Sequence, residues 1–222
     1  VVFYLGAVDL AETTDLVSAR IMMMKPGDKK KYIHQQYFIT EQKLEVDNDD
    51  HAAGARYKEW VDKGFMTLAG ENEVNLRMVA DWFYSLFSKY KLKLFKVGYD
   101  QKFSMDWLRR MEDPYGWTKK EPDADLIMIL QNAQTLNGAI KLCEAEFKAK
   151  IFNYKNNPVD KWCLSNAGMK IDKNGCLIVK QEPTKRIDGA VTYAILNEVY
   201  RRYRSDFESL IQKNGGNDSE SI

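Results

Sequence analysis

Three successive strand-like runs at the head of the chain constrain its fold more than any other feature. Residues 1–8, VVFYLGAV, are rich in β-branched and aromatic side chains and read as a mostly buried strand ending at Asp9. After the polar stretch AETTD a second run spans 16–24. Lys25-Pro26-Gly27-Asp28 then has the Pro-Gly order of a type II turn, and residues 31–39, KYIHQQYFI, complete the set. The chain therefore opens as an antiparallel meander.

Beyond residue 40 the pattern changes. Residues 41–54 are polar and acidic and are predicted to cross the surface, leading to a short helix at 57–63 and a strand at 65–68. Val79, Trp82, Phe83, Leu86, Phe87 and Tyr90 recur at helical spacing and predict a helix whose wide apolar stripe packs on a sheet. Residues 92–99 read as a strand ending at Asp100, 101–111 as a helix and 124–130 as a buried strand, while Leu136, Ile140, Cys143 and Phe147 share one face of a further helix. Asn157-Pro158 places proline where a helix can begin, because its missing N–H is not needed there. Asp172-Lys173-Asn174-Gly175 predicts a hairpin turn, and a last helix from near Arg186 buries Ile187, Val191, Ala194, Ile195 and Val199. Three antiparallel strands followed by strand–helix alternation describe an α/β fold, a mixed sheet with helices on its faces. Residues 213–222, KNGGNDSESI, lack an apolar anchor and are expected to be disordered, which leaves one domain over 1–212.

With 33 basic and 32 acidic side chains the net charge is only +1, so contact with nucleic acid has to come from local patches. The candidates are Lys29-Lys30-Lys31, Lys119-Lys120 and Arg201-Arg202 with Arg204; the plain reading of each is a solvated face. Lys119 and Lys120 stand out because the polar connection from Pro114 to Pro122 could flank the acids. Cys143, Cys163 and Cys176 fit neither a disulfide framework nor a zinc site and read as reduced thiols of a cytosolic protein. No apolar run approaches the roughly 20 residues a membrane helix needs. Val1, rather than Met, opens an apolar strand with no preceding turn or cap, as expected of a piece of something longer. The five tryptophans read as core packing, and His34 and His51, neither beside a plausible Ser or Cys partner, as structural or surface residues.

The residues that carry chemistry are acidic. Asp9 and Asp100 each end a strand, and Asp188 lies in the first turn of the last helix. If the two strands are neighbours and the helix packs across their ends, the three carboxylates converge. Two like charges about 4 Å apart repel by roughly 4 kcal/mol at an effective dielectric near 20, and a hard divalent cation such as Mg²⁺ or Mn²⁺ removes that penalty. Two such ions, about 3.5–4 Å apart, would suit in-line displacement at a phosphodiester. Taken singly, each acid also has a plain reading, as a turn former, a cap or a complement to the helix dipole.

The fragments GAVDLAETTDL (6–16), KVGYDQ (96–101) and KRIDGAVTYAI (185–195) together resemble the nuclease domain of the large terminase subunit of tailed bacteriophages. YKEWVDKGFMTLAGENEV (57–74) and NNPVDKWCLSNAGMKIDKNG (156–175) extend the resemblance to nearly the whole chain except its last ten or so residues. The resemblance implies a ribonuclease H-like fold and a two-metal endonuclease, its Mg²⁺ or Mn²⁺ ions held by Asp9, Asp100 and Asp188, that cuts concatemeric viral DNA. It implies Asp15 as an auxiliary ligand or an outer residue, against the plain reading of a turn or N-cap aspartate, and Lys180 or Lys185 as a lysine ahead of the third acid. It further implies a small terminase subunit, a portal and procapsid as partners, an ATPase domain elsewhere in the full-length protein, and work in the cytoplasm of an infected bacterial host. The chain itself has no G-x-x-x-x-G-K-[ST] phosphate loop, so ATP hydrolysis is not expected of it. Two competing readings are another ribonuclease H-like nuclease of the resolvase type and a nuclease-inactive module that docks on the portal and holds DNA; the intact acid set argues against the second.

Overall fold

The computed structural model of the chain describes residues 1–12, 15–45 and 49–215. The opening meander is β1 (Phe3–Asp9), β2 (Val17–Met23) and β3 (Lys31–Ile39). Its second turn is closed by the Asp28 N–H donating to the Lys25 carbonyl, with Gly27 at φ 72°, the left-handed value a type II turn requires at that position. There follow α1 (Asp49–Ala52), α2 (Tyr57–Asp62), β4 (Met66–Leu68), α3 (Leu76–Tyr90), β5 (Lys93–Tyr99), α4 (Met105–Glu112) and β6 (Leu126–Met128). The chain continues through α5 (Ala133–Lys148), β7 (Phe152–Asn153), α6 (Pro158–Asn166), the hairpin β8 (Ala167–Asp172) and β9 (Gly175–Lys180), and α7 (Asp188–Gly215).

Among the described residues the main sheet has seven strands and is mixed, in the order β4-β3-β2-β1-β5-β6 with β7 also beside β3. β1 runs antiparallel to β2 and parallel to β5, so β5 and then β6 are added on the far side of β1 from the meander, whereas β4 and β7 join its outer strand β3. Alternate residues of β1 feed two cores, as the period of two demands. Tyr4 and Val8 face α3 and α4, where Val79, Phe83 and Trp107 pack; Leu5 and Ala7 face α5 and α7, where Leu136, Tyr193 and Ile195 pack. Helices thus cover both faces. Gly98 of β5 brings α7 close, since a Cβ there would lie 2.6 Å from Val199 Cγ2. A third cluster joins Tyr37 of β3 to Tyr57 and Trp60 of α2 and to Trp162 of α6.

Several expectations need correction. Phe87 and Tyr90 are 39% and 65% exposed, although they share the helical face of buried Leu76, Ala80 and Phe83, because the last turn of α3 outruns the core. Residues 41–54 do not merely cross the surface: Glu41–Leu44 form a 3₁₀ turn, and Asp50 of α1 is buried, accepting from the Tyr57 hydroxyl at 2.7 Å. The last helix does not stop at residue 212. It continues through Lys213, Asn214 and Gly215, with the Asn214 side-chain amide donating to the Leu210 carbonyl; the rest of the expected tail, 216–222, lies outside the described residues.

Candidate active site

β1 and β5 are parallel neighbours, so their carboxyl ends meet at one pole of the sheet. Ala7 pairs with Gly98, and the same register carried two residues on sets Asp9, the last residue of β1, level with Asp100, just past β5. α7 packs across β1, β2 and β5, and its first residue is Asp188. The strand ends and the helix start therefore share a region.

The acids act on one another. Burial pushes the Asp9 carboxyl well above the usual carboxylate range, and the charges of Asp188, Asp15 and Asp100 push it further, with Lys180 opposing. Asp188 is raised to about 7, first by burial and then by Asp15. It is only 7% exposed, and its buried Oδ2 has no hydrogen-bond partner among the described residues. A buried acceptor left this way costs about 1–3 kcal/mol unless something outside the chain meets it.

Two cations stand at the rim. Lys180 Nζ and Arg186 Nη1 reach Asp15 Oδ1 at 3.0 and 2.7 Å. Burial tends to raise the Asp15 carboxyl, but these two partners outweigh it and hold it below the usual range. Of the two lysines considered ahead of Asp188, Lys180 is the one that touches the acidic cluster, whereas Lys185 closes a turn through its backbone N–H to the Glu182 carbonyl. Arg186, read from the sequence only as the approximate start of the last helix, stands two residues before Asp188 beside the acids; it also donates to buried Asp50 at 2.8 Å and so ties the site to α1.

The other basic candidates lie elsewhere. Lys119 pairs with Glu112 at 3.5 Å, and the stretch holding Lys119 and Lys120 leads to the amino end of β6, not to the carboxyl ends where the acids sit. Lys31 is buried and ion-paired to Glu146, so the Lys29-Lys30-Lys31 run is not a continuous basic face. Arg201 and Arg202 pair with Glu198, and Arg204 with Glu208.

Among the described residues no three His, Cys, Asp or Glu side chains stand together as a ready cage for a metal ion. The acids are close enough to perturb one another without closing such a cage. Their oxygens are nonetheless the donor type that hard divalent cations take, and the orphaned Asp188 Oδ2 is an acceptor suited to one.

Residues 2–205 match the family described as terminase large subunit, endonuclease domain. The chain belongs to this family. This terminase endonuclease domain is 25% identical over 199 residues to Protein YmfN of Escherichia coli (strain K12), a match covering 83% of the chain and 40% of YmfN. It resembles the HK97 bacteriophage large terminase with a TM-score of 0.74 and 20% identity, over 90% of this chain and 40% of that one. It resembles the large terminase nuclease from thermophilic phage G20c with a TM-score of 0.56 and 9% identity, over 91% and 83% of the two chains. The terminase domain thus spans about two fifths of the length of YmfN and of the HK97 protein. The structural likenesses carry the fold: a mixed sheet with helices on both faces, of the ribonuclease H-like class.

Proposed function

We propose that this terminase nuclease domain is a divalent-metal-dependent endodeoxyribonuclease that cuts concatemeric double-stranded DNA during packaging, with Asp9, Asp100 and Asp188 as its metal ligands. The observation that carries the reading is the buried, unpartnered Oδ2 of Asp188 beside an Asp9 that burial and neighbouring acids hold against ionisation. Such a cluster is costly alone and favourable around positive charge. When bound, a pair of Mg²⁺ or Mn²⁺ ions would supply an activated water and charge stabilisation for the departing 3′ oxygen.

The chain's own side chains do the rest. Asp9 offers its oxygens from the paired end of β1, and Asp100 from the residue just past β5. Asp188 brings its carboxylate from the start of α7. Asp15, already engaged by two cations, is an auxiliary ligand or an orienting residue. Lys180 and Arg186 are placed to trade Asp15 for phosphate oxygens when DNA arrives, a charge-assisted exchange of like strength. Lys119, Lys120 and Lys185 are assigned to more distant stretches of the DNA backbone.

A cavity of about 620 Å³ lined by Val1, Met24, Leu86, Tyr90, Leu92 and Ile211 opens at the opposite pole of the sheet. Concave apolar pockets are the usual starting point for small-molecule sites. The acids, in contrast, have the chemistry for a phosphodiester, so they are the better candidate for the reaction. No described helix is long and apolar enough to cross a membrane. Duplex DNA, the small terminase subunit, the portal and procapsid, and an ATPase domain in the full-length protein complete the proposed setting, in the host cytoplasm.

The test is plasmid nicking in Mg²⁺, Mn²⁺, Ca²⁺ and EDTA, beside Asp9→Asn, Asp100→Asn and Asp188→Asn. Cutting with Mg²⁺ or Mn²⁺ that disappears in EDTA and in all three variants is expected. Nicking by Asp188→Asn at the wild-type rate would reject that ligand, and binding of DNA with no cutting under any metal would favour a docking module instead.

A further inference from the structure

We propose that a buried polar relay through Ser18, Thr192, Arg20 and Asp160 sets the spacing between Asp9 and Asp188, making Thr192 and Arg20 positioning residues of the nuclease centre. The inference deepens the metal-centre reading and rests on it.

The relay begins at β2. Ser18 is the register partner of Asp9 across the β1–β2 ladder, so its backbone is fixed relative to the first acid. Its hydroxyl lies 2.9 Å from Thr192 Oγ1. Thr192 lies one turn into α7, and its Oγ1 reaches the carbonyls of Asp188 at 3.2 Å and Gly189 at 3.0 Å. Thr192 Oγ1 accepts from Arg20 Nε at 3.2 Å, and its single proton goes either to one of those carbonyls or to Ser18 Oγ, so the Ser18–Thr192 hydrogen bond holds in either direction. The path from the backbone beside Asp9 to the backbone of Asp188 is thus two side chains long.

Arg20 locks this path from below. It is wholly buried, and its Nη2 donates to the Gly189 carbonyl at 3.1 Å. Its charge is met by Asp160 of α6, with Nη1 to Oδ2 at 2.7 Å and Nη2 to Oδ1 at 2.9 Å. The Asp160 carboxylate also accepts from Gln35, from Tyr193 and from the Tyr37 hydroxyl. A two-pronged guanidinium–carboxylate pair has one good geometry, so it fixes angle as well as distance. The start of α7 has no room to drift towards β3 either: a Cβ on Gly189 would lie 2.1 Å from the Tyr37 hydroxyl oxygen. A hydrophobic core of equal volume would hold α7 against the sheet. It would not set the rotation of the helix's first turn, and that rotation decides where the Asp188 carboxylate points.

The test measures metal binding as well as cutting. Thr192→Val keeps the shape and leaves the Arg20–Asp160 pair intact, while Thr192→Ser keeps the hydroxyl. Calorimetric titration with Mn²⁺ alone should show Thr192→Val binding about tenfold or more weakly, the usual effect of losing an outer-shell partner, and Thr192→Ser close to wild type. Nicking by Thr192→Val should recover as Mn²⁺ is raised. Ser18→Ala should weaken Mn²⁺ binding in the same direction and serves as the second variant should Thr192→Val fail to fold. Phe83→Leu, on the other face of the sheet, is the stability control: it should lower Tm without moving the Mn²⁺ Kd. A folded Thr192→Val or Ser18→Ala with wild-type Mn²⁺ affinity overturns the relay, provided wild-type binding is lost in Asp188→Asn. Wild-type protein that takes up no Mn²⁺ overturns the metal-centre reading itself, and the relay with it.

Discussion

Asp188 is buried at a cost to its charged form. Its carboxyl titrates near 7 in the folded chain against an ordinary value of 3.8, so the native state binds a proton more tightly than the unfolded state does. That preference stabilises the fold fully below about pH 4 and is lost as pH rises through 7. With metal withheld by EDTA, Asp188→Asn should therefore gain stability relative to wild type from pH 4 to pH 8, reaching about 4 kcal/mol, while abolishing nicking. Chemical denaturation of both proteins across that range measures it. A gain that is flat with pH would mean that Asp188 is not the group under strain. Asp15 behaves oppositely, because Lys180 and Arg186 prefer its charged form.

At the scale of elements, α3 shows how a helix can obey its periodicity and still mislead. Asn75 caps it by accepting from the Arg77 N–H, and Leu76, Val79, Ala80, Phe83 and Leu86 are buried. Phe87 and Tyr90 continue the same stripe past the end of the core. Phe83→Ala should accordingly cost about 3–5 kcal/mol, as truncation of a buried aromatic does. Tyr90→Ala should change stability by no more than about 0.5 kcal/mol. Equal losses in urea melts would contradict the placement of the helix end. α6 is the element whose start was easiest to foresee: Pro158 opens it and the Asn157 side chain accepts from the N–H groups of Val159 and Asp160. The cap orients the first turn and with it Asp160, the anchor of the buried Arg20 network.

For the molecule as a whole, the two poles of the sheet differ in chemistry. The carboxyl ends of β1 and β5 hold the acids, and the other pole holds the apolar cavity against the end of α7. Metal taken up at the acid pole should stabilise the whole fold, because an ion that binds only the native state shifts unfolding by mass action. At a Mn²⁺ concentration 100 times its Kd the gain is about 2.7 kcal/mol. A rise in Tm with Mn²⁺ that vanishes in Asp188→Asn is the expected outcome, read by thermal melting; a rise that survives in the variant would place the ion elsewhere.

Most of the order of elements was legible in the sequence because its signals are local, although α1 and the two-residue β7 were not foreseen. A run of β-branched and aromatic residues marks β1, Pro26-Gly27 and Asn157-Pro158 mark a turn and a helix start, and Asp9, Asp100 and Asp188 stand at the edges of their elements. The order in which strands lie side by side carries no such signal. Only the tertiary structure places β5 beside β1 and so brings Asp100 level with Asp9. The same holds for Arg20 with Asp160, 140 residues apart, and for Arg186 with Asp50, 136 apart. A charged residue inside a strand pattern reads as exposed until the opposite charge is seen to arrive from elsewhere, and for that reason buried Lys31 passed for part of a basic run. Local chemistry determined what the elements are and which acids end them. Long-range packing decided which of those acids meet and which cations reach them, because that depends on strand order and helix docking rather than on any stretch of neighbouring residues.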